Sequence, residues 1–295
     1  MTAPALPRHR LPRTGPTARR TAPMMLLLAA VLAGCTAGPF AVPATAPGAA
    51  SAPASPAGAD ATPDILLIGE THDAAGQPDL VVAQLQQLAA QGRLAAVALE
   101  MAPLGATTIA LPPDADDAAL RRALRWDERA WPWARYAPVV RAGLAAGVPV
   151  VGANLPADQM RAAMEDVSLD VQLEPDVRRA QEEAIRTGHC GLLPERQIGP
   201  MTRVQIGRDK AMALTLAESV RPGRTAVLLA GAGHVDRQLG VPQHLPTQLT
   251  VRSVAMVAGG AQPGGQFDTV WTSPAMPPVD HCAALRQRMG PARRG

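Results

Sequence analysis

Two short apolar runs in this chain each lead into a glycine that is followed, three residues later, by a histidine. Ile65–Ile68 precedes Gly69-Glu70-Thr71-His72, and Ala226–Ala230 precedes Gly231-Ala232-Gly233-His234. Each run has the length and apolar composition of a strand buried on both faces of a parallel sheet. Because ligands of open α/β sheets bind beyond the carboxyl ends of the strands, the two motifs predict a functional site at one edge of a sheet.

Two further apolar runs continue this pattern. Leu94–Leu99 ends at Glu100, and Val148–Gly152 ends at Ala153-Asn154. Segments with helical spacing separate the runs, of which Pro78–Gly92 is the clearest. Strands that alternate with helices predict an α/β fold with a mainly parallel central sheet flanked by helices. Roughly residues 105–205 are predicted to form an inserted helical subdomain.

The four predicted strands therefore end in polar side chains, and the ends of parallel strands share one edge. The candidate site residues are Glu70, His72, Glu100, Asn154 and His234. Two carboxylates and two imidazoles can perform acid–base chemistry, hold a divalent metal or bind a polar ligand. The alternative is that each side chain merely caps its strand; four such ends together favour a site. No HExxH zinc motif occurs, and the glycines before His234 lack the third glycine of a dinucleotide-binding fingerprint.

Residues 1–35 are predicted to be a lipoprotein signal peptide. Met1–Pro23 is rich in Arg and Pro and has no acidic residue, and Met24–Leu32 is a short apolar run. Leu32-Ala33-Gly34-Cys35 resembles the bacterial lipobox, in which the cysteine is diacylated, and two acyl chains anchor a protein stably. Thr36 stands where aspartate is linked with inner-membrane retention, which favours the outer membrane, facing the periplasm. The alternative is an ordinary export signal with a chance cysteine.

The charge of the chain changes when the signal is removed. Five of the 28 basic residues and none of the 25 acidic residues precede Cys35, so the remainder carries 23 basic and 25 acidic residues. No basic run typical of nucleic-acid binding is left. Residues 36–63, dominated by Ala, Pro, Gly, Ser and Thr, are predicted to be a disordered tether. Residues 64–286 are long enough for one folded domain.

Two cysteines are left if Cys35 carries lipid. An even number in an oxidising compartment predicts a disulfide between Cys190 and Cys282. The alternatives are two separate buried thiols or, ranked lower, a metal site formed with the preceding His189 and His281. The spacing of these residues matches no zinc pattern.

The motifs together resemble those of the ChaN family of haem-binding, iron-regulated lipoproteins. The matching segments span almost the whole predicted domain, from Asp64 to Cys282. They are LLIGETHD, VALEM, the segment that ends in Tyr136-Ala137-Pro138, VPVVGAN, the region from HCGLLPE to RDKAMA, GAGHVDRQLGVPQHL and the tail FDTVW…DHC. The two histidine motifs are also similar to those of Tiki-type metalloproteases and erythromycin-esterase-like enzymes.

The resemblance implies that the chain binds haem through a tyrosine ligand, with histidine assistance across a dimer. Tyr136 is the single tyrosine, and tyrosinate is a recognised ligand of ferric haem. Trp126 and Trp131 add flat faces for a porphyrin, and Arg129 can pair with a propionate. The predicted haem-binding residues are Tyr136, Trp133, Arg135 and Asn154. The alternative is that the aromatic residues are a packing cluster.

Two main hypotheses follow. The first is a lipid-anchored haem-binding protein of the cell envelope that acts in haem and iron uptake, with haem, the membrane and a second copy of the chain as partners. The second is a hydrolase, with or without a divalent metal, that uses Glu70, His72, Glu100 and His234. In it His72 is the general base, and Glu100 orients it or binds the metal. A third is a structural lipoprotein that retains the motifs of an enzymatic ancestor.

Overall fold

The structure, a computed structural model, describes residues 62–277 and 279–289. The predicted signal peptide with Cys35 and nearly all of the predicted tether lie outside these residues. The strands of the described part are β1 (Ile65–Glu70), β2 (Leu94–Pro103), β3 (Val150–Asn154), β4 (Thr225–Gly231), β5 (Val251–Ala258) and β6 (Thr269–Ser273). Its helices are α1 (Gln77–Ala90), α2 (Asp117–Ala123), α3 (Trp133–Ala145), α4 (Ala157–Glu165), α5 (Pro175–Gly188), α6 (Glu195–Ser219), α7 (Ala232–Val235) and α8 (His281–Met289).

The six strands form one sheet in the order β3-β2-β4-β1-β5-β6, and every pair of neighbours is parallel. The prediction of an α/β fold with a parallel sheet is therefore confirmed. The strand that carries the second histidine motif, β4, lies between β1 and β2. The four strands with predicted polar ends are consequently direct neighbours.

Apolar side chains on both faces of the sheet explain why these runs form strands. Every residue of β1 and β4 is buried. Helix α6 covers one face, where Met212 and Leu216 pack among Leu67 and Leu228. Helix α3 lies close to the other face, because a Cβ atom at Gly143 would come within 2.7 Å of Val150 Cγ2. Burial of a Leu or Val side chain stabilises the fold by about 1.5–3 kcal/mol, so these faces hold the sheet in place.

The segment predicted as a helical insertion contains a strand of the sheet as well as helices. Between residues 105 and 205 lie α2 to α5, the start of α6, and β3, which pairs with β2 at the edge of the sheet. The predicted boundaries of the domain and of the insertion stay predictions.

The predicted disulfide is confirmed: Cys190 and Cys282 are bonded, with their Cα atoms 5.7 Å apart. The bond ties α8 to the end of α5. None of the helices in the described part of the chain combines the length and hydropathy that crossing a bilayer requires.

Candidate functional site

The strand order places the predicted site residues side by side at the carboxyl edge of the sheet, hereafter the rim. Asn154 ends β3, Gly231 ends β4 and Glu70 ends β1, while Glu100 lies within β2, which continues to Pro103. His72 follows β1 in a turn, and His234 lies on the short helix α7. The structure thus brings together all five residues that the sequence predicted for this edge.

Glu70 is the first centre of the rim. Its Oε1 accepts hydrogen bonds from the Tyr136 hydroxyl at 2.6 Å and from Nδ1 of His72 at 2.9 Å. Its Oε2 lies 3.4 Å from the guanidinium of Arg135, which also donates to the carbonyl oxygens of Thr71 and Ala74. A buried carboxylate needs such partners, because an unpaired charge in the interior is strongly destabilising.

Glu100 is the second centre and is almost fully buried. One oxygen accepts a hydrogen bond from Arg208, and the other accepts one from the backbone N–H of Gly231 at 2.6 Å. The same guanidinium donates to Asn154 Oδ1 at 2.9 Å. Asn154 and Arg208 therefore fix the position of the Glu100 carboxylate.

The two imidazoles face Glu100 from separate strand ends. Nε2 of His72 lies 3.8 Å from Glu100 Oε2, and Nε2 of His234 lies 3.7 Å from Glu100 Oε1. On the other side of its ring, His234 Nδ1 lies 2.5 Å from Asp209 Oδ1. In the same way, His72 Nδ1 lies 2.9 Å from Glu70 Oε1. Each ring is thus placed between two carboxylates, and the two histidine motifs meet at one acid.

The pKa values follow from this arrangement. Burial alone would raise the pKa of Glu100, but His234, Arg208 and His72 outweigh it and lower it to about 2. Burial alone would lower the pKa of His72, but Glu100 and the hydrogen bond to Glu70 raise it above its ordinary value of 6.5. Burial raises the pKa of Asp209, although His234 opposes the shift. At neutral pH Glu100 is therefore ionised, and its charge helps to raise the pKa of His72.

The residues predicted to hold haem iron lie in the interior beside the rim. Tyr136 has 0% exposed surface, and its hydroxyl is committed to Glu70. Burial, followed by the charge of Glu70, raises its pKa well above the ordinary value of 10.0, which disfavours the tyrosinate that iron would need. In this structure the Tyr136 hydroxyl supports Glu70, and its role as a haem ligand stays a prediction. Asn154, which was also predicted to bind haem, accepts a hydrogen bond from Arg208 through Oδ1.

The aromatic residues pack against one another beside the rim. The aromatic cluster consists of Trp126, Trp131, Trp133 and Tyr136. Trp126 meets Trp133 edge to face with ring centroids 4.9 Å apart, and both Trp131 and Trp133 are buried. Trp131 also packs against the ring of His72 at 4.8 Å. The cluster therefore positions the rim and does not offer a free flat face at Trp133.

Two features describe what the rim can bind. Nε2 of His72 and Nε2 of His234 lie 3.8 and 3.7 Å from the nearest Glu100 oxygens, beyond hydrogen-bond distance. The His72 side chain is 22% exposed, whereas that of His234 is buried. The described residues contain no group of three or more His, Cys, Asp or Glu side chains arranged to hold a metal. Because Nδ1 of each ring lies against a carboxylate oxygen, Nε2 is the atom of each imidazole that is left to contact a ligand.

A family model described as haem-binding uptake, Tiki superfamily, ChaN matches residues 59–245. The chain belongs to this family. The match extends over both histidine motifs and thus over every residue of the rim. No curated protein sequence matches the chain.

The fold of the ChaN family is also found by structural comparison. A structure described as cofacial haem binding to ChaN of Campylobacter jejuni aligns with a TM-score of 0.58 and 24% identity, over 68% of this chain and 84% of that chain. The type III effector HopBA1 aligns with a TM-score of 0.38 and 12% identity, over 72% of this chain and 88% of its own. RRSP, a toxin effector domain from Vibrio vulnificus CMCP6, aligns with a TM-score of 0.36 and 13% identity, over 65% of this chain and 33% of that chain. The first likeness shows a shared fold; the other two are too weak to support an argument.

Two rim residues of this ChaN-family chain were missed by reasoning from sequence. Arg208 and Asp209 lie on α6 and are buried, whereas a charge on a helix is ordinarily solvated. No local signal separated this pair from surface charges, because Lys210 follows it directly and is partly exposed on the same helix.

Proposed function

We propose that this chain is a lipid-anchored haem-binding protein of the cell envelope that acts in haem or iron uptake. The observation that carries the proposal is the match to the haem-binding uptake family over residues 59–245. The fold shared with the haem-binding ChaN of Campylobacter jejuni supports it. Bound haem would supply the iron that an uptake protein delivers.

The rim offers chemistry that suits haem in one specific way. Haem carries two propionate carboxylates on an otherwise apolar ring. His72 is the partly exposed histidine of the rim, and its Nε2 lies beyond hydrogen-bond distance of Glu100. Trp131 lies directly beside His72 and adds apolar surface at the edge of the site. A second copy of the chain is proposed as a partner, because the Campylobacter protein is described as binding haem cofacially.

Titration of the purified protein with ferric haem tests the binding step. We expect a saturable shift of the Soret band at one haem per chain, and no such shift would overturn the proposal. Size measurements with and without haem test the dimer: a doubling of mass on loading supports it, and a monomer in both states contradicts it.

The lipid anchor rests on Cys35 and the preceding Leu-Ala-Gly, as given by the sequence. We expect the full chain, expressed in a Gram-negative host, to partition into detergent and to carry diacylglycerol at Cys35. The Cys35→Ser variant should be released from the membrane fraction. Fractionation of inner and outer membranes tests the proposed outer-membrane location.

The hydrolase hypothesis is less well supported by the rim. In this hypothesis His72 is the general base, and Glu100 and the hydrogen bond to Glu70 raise its pKa above the ordinary value. Glu100, as its predicted partner, is already engaged by Arg208 and Gly231. A panel of esters and peptides tests this alternative, which requires activity that is lost in the His72→Asn variant.

A further inference from the structure

We propose that strand β6 is a contact between two copies of the chain, in which β6 of a second copy pairs with it in the antiparallel direction. This pairing needs no haem and so goes beyond the proposed function. It also uses a different part of the molecule, because β5 separates β6 from β1. None of the rim residues lies on β5 or β6, and the contact therefore leaves the rim unused.

The two edges of the described sheet differ in how they are covered. Along the outer edge of β3, residues 106–108 of the same chain run antiparallel to the strand. There the Gly152 N–H donates to the Ala106 carbonyl oxygen at 2.8 Å. Along the outer edge of β6 no described residue forms a strand or a bridge, and β5 is its neighbour on the inner side. Of these two edges, that of β6 is the one open to pairing.

The sequence of β6 lacks the features that ordinarily keep an edge strand from pairing. Natural edge strands are protected by charged side chains, proline, bulges or a covering segment. Residues 269–273 read TVWTS, with no charge and no proline, and are rich in the β-branched and aromatic types that favour strands. Val270 is 44% exposed. The adjoining charge in the sequence, that of Asp268, is paired with Arg237 at 2.7 Å, so a second copy meets an uncharged edge and no repulsion.

The outward backbone groups of β6 complement those of an identical strand. The Asp268 N–H donates inward, to the carbonyl oxygen of Ser253 at 2.9 Å. Because alternate residues of a strand bond to the same side, the N–H and C=O groups of Thr269 and Trp271 point outward. With a two-fold axis at Val270, Thr269 of each copy lies opposite Trp271 of the other. Each of these two pairs exchanges two hydrogen bonds, and the two Val270 side chains meet across the axis.

A single open edge also explains why the partner is a second copy and why association stops at two. A two-fold contact uses the same surface on both copies and closes on itself. The joined sheet ends at a β3 edge on either side, and residues 106–108 already cover that edge. The register about Val270 is favoured over one about Trp271, because the latter would pair Thr269 with Ser273, whose carbonyl oxygen already accepts from the Gly259 N–H at 3.0 Å.

Cysteine cross-linking of the full chain without haem tests this register. Opposing residues outside the hydrogen-bonded pairs have Cα atoms about 4.5 Å apart, within disulfide range, so Val270→Cys should link two copies on oxidation. Thr272→Cys is the matched control on the same strand, where the residue is also exposed. Its counterpart in the second copy is displaced by four residues, about 14 Å along the strand, and should give no link. The wild type, with Cys190 bonded to Cys282, gives the background.

Thr269→Pro tests the backbone contacts, because proline is tolerated at the first position of an edge strand but has no N–H to donate. Two hydrogen bonds are lost per dimer, so cross-linking of Val270→Cys should fall about tenfold when the two changes are combined. Circular dichroism shows whether the proline variant folds; if it does not, the two cysteine variants decide alone.

Three results overturn the proposal: no link in Val270→Cys, an equal link in Thr272→Cys, or a link that Thr269→Pro leaves unchanged in a folded chain. Because haem is absent throughout, any of these leaves the proposed haem binding as it stands. A chain that cross-links as expected but shows no Soret shift with haem overturns the proposed function and keeps the contact at β6.

Discussion

The hydroxyl of Tyr136 donates to Glu70 Oε1 at 2.6 Å, and this single contact joins the aromatic cluster to the rim. Because Nδ1 of His72 binds the same oxygen, the position of His72 depends on a residue of α3. The haem-binding residues predicted from sequence and the strand-end residues are therefore parts of one network, in which Tyr136 is a support.

Replacement of this tyrosine tests its role. We expect Tyr136→Phe to lower the free energy of unfolding by about 1–3 kcal/mol, because Glu70 loses a buried donor. The Soret position of the haem complex should stay that of the wild type if the phenol remains bound to Glu70, as in this structure. Urea denaturation and visible spectra check the two parts. A spectrum that loses a tyrosinate band would contradict this assignment, and Thr202→Val, which removes a buried hydroxyl bound only to its own helix, is the control for stability.

Glu100 should govern the acid stability of the fold. Its pKa in the folded chain is about 2, below the ordinary value of 4.5, so its ionised form stabilises the fold above pH 4.5 and this contribution is lost as the pH falls towards 2. The shift corresponds to about 3 kcal/mol. Glu100→Gln should be less stable at neutral pH and should show a flatter stability profile between those pH values.

Unfolding by urea at a series of pH values measures the Glu100 effect. The exposed Glu165 of α4 supplies the control, and Glu165→Gln should follow the wild-type profile. An unchanged slope in Glu100→Gln would mean that other carboxylates cause the acid sensitivity.

The sequence predicted much of this fold because its strands are short apolar runs that end in polar residues. Ile65–Ile68 and Ala226–Ala230 lie within β1 and β4 as expected. Because the strands are parallel, the polar residues at their carboxyl ends meet at one edge and form the rim. The position of β4 between β1 and β2 could not be predicted from local sequence patterns, because strand order depends on contacts between distant segments.

The parts of the site that could not be predicted are those in which tertiary packing overrides a local preference. Asp209 lies on a helix, where a carboxylate is ordinarily solvated, yet α6 buries it against His234. Tyr136 lies in a motif that matches the family, but only the structure shows that its hydroxyl points to Glu70 and not to solvent.

The disulfide should contribute to stability through the unfolded chain. Cys190 and Cys282 are 92 residues apart, and cross-linking a loop of this length restricts the unfolded ensemble. We expect reduction to lower the free energy of unfolding by about 2–4 kcal/mol. The double variant Cys190→Ser/Cys282→Ser should have the stability of the reduced protein and be indifferent to reductant. Melting curves with and without reductant check this, and a wild type that reductant leaves unchanged would contradict it.

Gly231 leaves the space that His72 occupies. A Cβ atom at this position would lie 2.9 Å from Nε2 of His72 and 3.2 Å from its Cε1, although the backbone at φ −59 and ψ 146 accepts alanine. Gly231→Ala should therefore displace the imidazole from Glu100 and lower stability by about 1–3 kcal/mol. The pKa of His72 should fall from its raised value, because the imidazole moves away from Glu100.

Gly199→Ala is the matched control, because a Cβ atom there meets nothing within 4 Å. Because Gly199 directly precedes Pro200 in α6, a Cβ atom there gives the helix no gain in stability, and the change should leave the titration of His72 as it is. NMR titration of His72 in both variants checks the comparison. If Gly231→Ala retains the wild-type titration of His72, the close approach of β4 to His72 does not set the geometry of the rim.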